Sequence, residues 1–198
     1  MKKILLSVLT LFVFFGCSNE GDIIEKPTIL NVGEKVELVS TQGKKITFKR
    51  VENGIVIDND EDKIIIFDIF GTFCEPCKRE APALMKMQLD HNDRIILVGL
   101  SYFENVSSEY IIEKFQKPYN AYYFIAANSP NNKALVDTIL HDIDYERMIS
   151  LPFKVVLNRG KYETVTDKWE GSSGTKFYIG DVGTELIIAD IEKIINKE

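Results

Sequence analysis

The stretch Lys63–Phe70, KIIIFDIF, leaves this 198-residue chain the fewest options. Its β-branched and aromatic residues fall on both parities of a strand's alternation, so neither face can be turned to water. A strand buried on both faces needs a layer of structure on each side, and that points to an α/β class. A short loop, Gly71–Thr72–Phe73, follows. A helix is then predicted from about Glu75 to His91, because Cys77, Ala81, Leu84, Met85 and Leu89 recur on one helical face. Pro82 falls inside that helix and predicts a kink.

The rest of the chain supplies the neighbours of this strand. Lys35–Ser40 and Lys44–Arg50 alternate in polarity around Gln42–Gly43 and read as a hairpin, with Gly54–Ile57 a further short strand. Arg94–Leu100 is a second buried strand. Val106–Lys117 reads as a helix, Tyr122–Ala126 as a strand and Asn131–His141 as a helix. Phe153–Asn158 and Lys161–Thr166 read as two strands around the turn Asn158–Arg159–Gly160. Asp181 is predicted to cap a last helix with Ile187, Ile188, Ile191, Ile194 and Ile195 on its core face. Strands alternating with helices, closed by a hairpin and a helix, imply a three-layer α/β/α sandwich with a mixed central sheet.

The N-terminus has the layout of an export signal. Met1–Lys2–Lys3 is followed by the apolar run Ile4–Phe15, too short to span a bilayer comfortably, and then by Gly16–Cys17 and a polar stretch. A small residue before a cysteine at this place resembles the lipobox of bacterial lipoproteins, although Phe14 and Phe15 stand where an aliphatic and a small residue are usual. The resemblance implies that Cys17 is acylated and seats the protein in a lipid bilayer. An uncleaved anchor and an ordinary secretory signal are the alternatives. The expected organisation is a signal peptide over 1–16, a lipidated cysteine and tether over 17–34, and one domain over 35–198.

With Cys17 assigned to lipid, two cysteines remain, Cys74 and Cys77. A structural disulfide framework would use more cysteines at wider spacings, whereas one close pair in an oxidising compartment suggests a redox site. The chemistry suits the setting. The thiolate is the nucleophile of disulfide exchange, a free cysteine is mostly protonated at neutral pH, and helix N-terminal amides aimed at Cys74 favour its anion. Cys77, one turn deeper, is then the resolving thiol.

The stretch from Asp68 to Glu80 resembles the active site of the thioredoxin superfamily, and in particular the membrane-anchored TlpA/ResA-like thiol–disulfide oxidoreductases. Cys74–Glu75–Pro76–Cys77 is a dipeptide choice found in that group, and Pro82 matches its kinked active-site helix. Leu151–Pro152 before FKVVLN matches the cis-proline that faces the cysteines, and the strand and helix over about 122–141 match the group's central insertion. The resemblance implies that Asp68 is a buried carboxylate, its pKa raised by burial, that takes the proton of Cys77. It also implies that Leu151 offers its backbone to an extended substrate. Phe73 stands where tryptophan is usual, so the flat contact surface is smaller. The implied partners are disulfide-containing extracytoplasmic proteins, apocytochrome c among them, and a membrane electron donor of thiol-relay type.

Glu75, lying between the cysteines, disfavours a neighbouring thiolate and so tilts the couple toward a reductase; alternatively it is a solvated residue that suits the helix start. Other functions find less footing. The net charge is −6 with no basic run, so nucleic acid has no electrostatic handle. No metal or other cofactor is expected, because His91 and His141 are isolated and a zinc site needs four ligands. A copper carrier would show a wider cysteine spacing with a placed histidine, and a peroxidase a threonine–proline context before Cys74. Trp169 and Gly171–Gly174 read as packing and a turn. The remaining alternative is an envelope chaperone or interaction lipoprotein whose disulfide is merely structural.

Overall fold

The computed structural model of the protein describes residues 26–168 and 173–197. Cys17, the expected signal peptide over 1–16 and Trp169 lie outside them. In chain order the strands are β1 (Lys35–Val39), β2 (Lys45–Val51) and β3 (Gly54–Ile57), then β4 (Ile64–Phe70) and helix α1 (Glu75–Asp90). They are followed by β5 (Ile95–Ser101), α2 (Ser108–Ile111), a π-helical turn (Ile112–Gln116), α3 (Lys117–Tyr119), β6 (Phe124–Ala126) and α4 (Pro130–Asp142). The chain closes with β7 (Phe153–Asn158), β8 (Lys161–Tyr162), β9 (Val165–Thr166), β10 (Ser173–Thr175), β11 (Tyr178–Ile179) and α5 (Thr184–Asn196).

All seven residues of β4 are buried, as its composition requires. The strand sits mid-sheet in the order β11-β7-β4-β5-β6, with β8 hairpinned onto β7. It runs parallel to β5 and antiparallel to β7. Two cores follow from its two faces. Ile64, Ile66 and Phe70 pack with α1, α5, Ile111 and Phe115, while Ile65, Phe67 and Ile69 pack with α4 and the β1-β2-β3 sheet. The result is a three-layer α/β/α sandwich with a mixed central sheet.

Four local expectations differ from the outcome. The helix expected over Val106–Lys117 starts at Ser108, where Ser107 accepts a hydrogen bond from the Tyr110 amide, and it widens to π geometry before Pro118. Proline has no amide to continue an α-helical ladder and its ring crowds the carbonyl four residues back, so the register shifts ahead of it. The strand expected over Lys161–Thr166 is broken, because the Thr166 amide and hydroxyl turn to the Asp190 carboxylate at 2.8 and 2.9 Å. Val165–Thr166 pairs with β10 instead. Asp181 does not cap α5; Gly183 holds that position with φ +84°, and Asp181 pairs with Arg79 at 2.8 Å. The stretch before Lys35 is also tied down in part. The Thr28 amide donates to Asp137 at 2.9 Å and the Leu30 amide to Thr138 at 3.0 Å, both on α4.

Candidate active site

The two cysteines lie where a buried strand gives way to a helix. β4 ends at Phe70, and the Cys74 amide donates to the Gly71 carbonyl at 3.0 Å to close the turn. A side chain at position 71 would meet the Phe73 ring at 2.7 Å, so glycine is needed for that ring to fold back over the loop. Glu104, on the loop after β5, fixes the same turn by accepting from the Thr72 amide at 2.5 Å and from the Thr72 hydroxyl at 2.6 Å. Cys74 is the N-cap of α1, Pro76 opens the helix where a missing amide costs nothing, and Cys74 and Cys77 form a disulfide. The Cys77 amide donates to Cys74 Sγ at 3.2 Å. That hydrogen bond and the helix terminus behind it favour negative charge on the Cys74 sulfur once the bond is open.

The surroundings divide into an outer rim and a buried floor. At the rim Phe73 is 60% exposed, Leu151 is half-buried, and Phe103 is exposed on the neighbouring loop after β5. The Leu151–Pro152 bond is cis and immediately precedes β7. Glu75 is exposed and paired with Lys78 at 2.5 Å, and the Lys78 ammonium also sits over the Tyr119 ring. The Glu75 charge therefore has a countercharge beside it as well as water, which weakens its influence on the cysteines.

The floor is a row of side chains across the sheet. Asp68 on β4 stands in register with Lys154 on β7 and Gly99 on β5. By strand alternation Asp68 points to the same side as Ile66 and Phe70, which is the side α1 covers. It is 1% exposed, and its Oδ1 is 3.1 Å from the ammonium of Lys154, itself 1% exposed, without an aligned hydrogen bond. The same ammonium donates to Glu80 of α1, one helical turn beyond Cys77. Tyr123, just before β6, reaches over Gly99 to within 3.5 Å of Asp68 Oδ2; a Cβ on residue 99 would sit 3.1 Å from its ring.

This floor holds two carboxylates against one ammonium. Burial pushes the Glu80 carboxyl up to about 7, with the charge of Asp68 adding to the rise and Lys154 opposing it. Burial pulls the Lys154 ammonium down, but Asp68 and Glu80 together outweigh it and leave its pKa raised. The Tyr123 hydroxyl is held well above its ordinary value by burial and by the Asp68 charge, so it stays protonated.

Cys74 and Cys77 are thus bonded at the start of α1, with Pro76 between them, and Asp68 lies on the side of the sheet that this helix covers. Asp68 is buried but not alone: it shares the Lys154 ammonium with Glu80, whose carboxyl burial lifts to about 7. Reading the residues one strand at a time missed Glu80, Lys154, Tyr123 and Glu104. A signal existed for one of them, visible only when two strands are read together: Lys154 and Asp68 are single opposite charges in otherwise apolar strands, FKVVLN and IIIFDIF, expected to lie in one sheet. Among the described residues no cluster of three or more His, Cys, Asp or Glu could hold a metal, and no helix is long and apolar enough to cross a membrane.

Comparison with known proteins agrees with this architecture. No family model matches the chain. A thioredoxin-like protein of Bacillus subtilis, YneN, is 25% identical over 88 residues, which is 44% of this chain and 41% of that protein. A thioredoxin of Drosophila melanogaster, Thioredoxin-T, is 33% identical over 45 residues, 23% of this chain and 29% of that one. The matches therefore span less than half of either relative. Among solved structures, the thioredoxin domain of a thiol-disulfide oxidoreductase from Bacteroides vulgatus superposes with a TM-score of 0.50 at 17% identity, covering 83% of this chain and 96% of that one. At identities this low the likeness establishes the fold.

Proposed function

We propose that this chain, which has the thioredoxin fold, is a thiol–disulfide oxidoreductase that reduces disulfides of proteins outside the cytoplasm through Cys74 and Cys77. The observation that carries the reading is the cysteine pair bonded across the N-terminus of α1, with two buried carboxylates, Asp68 and Glu80, on the same side of the sheet.

In the reduced state the Cys74 thiolate attacks one sulfur of a substrate disulfide, and the other substrate sulfur leaves as a thiolate that takes a proton from water. Cys77 then gives its proton to the Asp68/Glu80 pair and attacks Cys74. The mixed disulfide breaks, the second substrate sulfur departs as a thiol after protonation, and the Cys74–Cys77 disulfide forms. Two electrons pass from the dithiol to the substrate. Phe73, Leu151 and Phe103 give an extended, partly apolar segment a surface to lie on beside the reacting sulfurs. The reducing direction is supported by the excess of buried negative charge, which disfavours thiolates nearby and so favours the oxidised enzyme.

Location and partners rest on the sequence of residues 1–17 and on the family resemblance. The reading takes the protein as exported, tethered to a bilayer by acylated Cys17 and recharged by a membrane electron carrier of thiol-relay type. Apocytochrome c, whose haem-binding cysteines must be reduced, is one fitting client. Replacing Cys77 by Ser tests the function directly: Cys74 should then accumulate mixed disulfides with envelope proteins, released by dithiothreitol. An empty trap would favour an interaction module with a structural disulfide.

A further inference from the structure

The proposed chemistry uses the two carboxylates but gives no role to the cation between them. Lys154 projects from β7 two residues after the cis peptide, and its ammonium bridges a strand residue and a helix residue, Asp68 and Glu80. A lysine this deep is costly, and packing alone would be served as well by an apolar side chain of its length. Glu80 lies three residues past Cys77 on α1, so the two side chains are neighbours on one helical face, and both are buried.

We propose, resting on the oxidoreductase reading above, that Lys154 is a positioning residue that holds Asp68 and Glu80 as a unit exchanging one proton with Cys77. The charge count gives the reason. With Lys154 charged, one carboxylate is balanced and the second has no countercharge in a site closed to water, so the pair gains or loses a single proton as the site works. Without the ammonium, two carboxylates face each other in the same space, and both are driven to hold protons. The proton of Cys77 would then have nowhere to go at neutral pH. Lys154 also ties β7, and with it the substrate-facing Leu151–Pro152 bond, to the helix that carries the cysteines. Among the described residues, the other charged or titratable groups facing this floor are the Tyr123 hydroxyl, which stays protonated, and Asp181, which lies before α5 and raises Glu80 further while pairing with Arg79.

The test follows the two steps of a model disulfide. Reduced full-length protein is mixed with the aromatic disulfide DTNB, one thionitrobenzoate being released as Cys74 attacks and a second as Cys77 resolves the adduct. Both phases are timed over roughly pH 5 to 9, the range in which a buried acid and a thiol change charge. In Lys154→Met the midpoint of the second phase should move up by about one pH unit or more beyond any change in the first, and Lys154→Arg should keep it near the wild-type position. Coinciding second-phase midpoints in wild type and Lys154→Met would overturn the proposal. If Lys154→Met does not fold, carbon-13 carboxyl and nitrogen-15 ammonium shifts of the wild-type protein decide. Glu80 should titrate near neutrality while Lys154 stays charged, and a Glu80 titration complete by about pH 5 would overturn the proposal. A wild-type protein that releases no second thionitrobenzoate would instead sink the oxidoreductase reading itself.

Discussion

The molecule buries charge on both sides of its central sheet, and the two clusters differ in balance. On the side of α4, Arg50 forks onto Asp142 with two contacts of 2.7 Å, donates to the Gly54 carbonyl at 2.8 Å, and Tyr162 donates to Asp142 at 3.0 Å. One cation meets one anion, and the set joins β2, α4 and β8. On the side of α1, Lys154 meets both Asp68 and Glu80. The first arrangement is balanced, a bidentate guanidinium against a single carboxylate. The second carries one negative charge too many for its burial, and Glu80 is lifted to about 7 as a result. Under the proposed function it is the uncompensated cluster on the helix that carries the cysteines, and not the balanced pair, that has chemistry to do.

Substitutions can break this contrast. The largest effect on stability is expected for Arg50→Met, which leaves Asp142 buried and unpaired and should cost about 3–5 kcal/mol in urea unfolding, with thiol kinetics unaltered. A change in the pH profile of thionitrobenzoate release would mean the two clusters are not separable. Glu80→Gln should alter the pH dependence of stability. The folded-state pKa is raised from 4.5 to about 7, so the folded protein keeps a proton that the unfolded chain has released. Stability from this group is thus complete below about 4.5 and falls as pH rises through about 7, by on the order of 3 kcal/mol. The glutamine variant should lose that slope, and urea curves at a series of pH values check it. Glu104→Gln removes a charge-assisted hold on Thr72 and should cost about 1 kcal/mol, read as a lower melting temperature of the oxidised protein. The smallest effect is assigned to Glu75→Gln: with Lys78 alongside, the potential of the cysteine pair should move by less than about 10 mV, and a shift above about 30 mV would restore Glu75 as a main determinant.

The parts of the site that could be read from the sequence are those whose signal is local. A both-faces-buried strand leading into a helix that starts at the first of two cysteines is written in consecutive residues, and so are the Leu151–Pro152 step before β7 and the carboxylate of Asp68 inside IIIFDIF. Glu80 and Lys154 were not read because each looks ordinary in its own segment. A glutamate on an amphipathic helix is usually solvated, and a lysine near the start of a strand usually snorkels to water. Only the register that sets Asp68 opposite Lys154, and the docking of α1 over both, makes them a unit. The break in Lys161–Thr166 was hidden for a similar reason, since its cause, Asp190, lies on the last helix.

The account as a whole stands on Cys74 and Cys77 exchanging their bond with an outside disulfide. Equilibrating the folded protein against a graded series of reduced and oxidised dithiothreitol or glutathione measures that directly. One reversible two-electron transition is expected, with a midpoint in the range of reducing thioredoxins, about −270 mV. A pair that stays oxidised until the protein is unfolded, or one that titrates near the strong-oxidant value of about −120 mV, would contradict it.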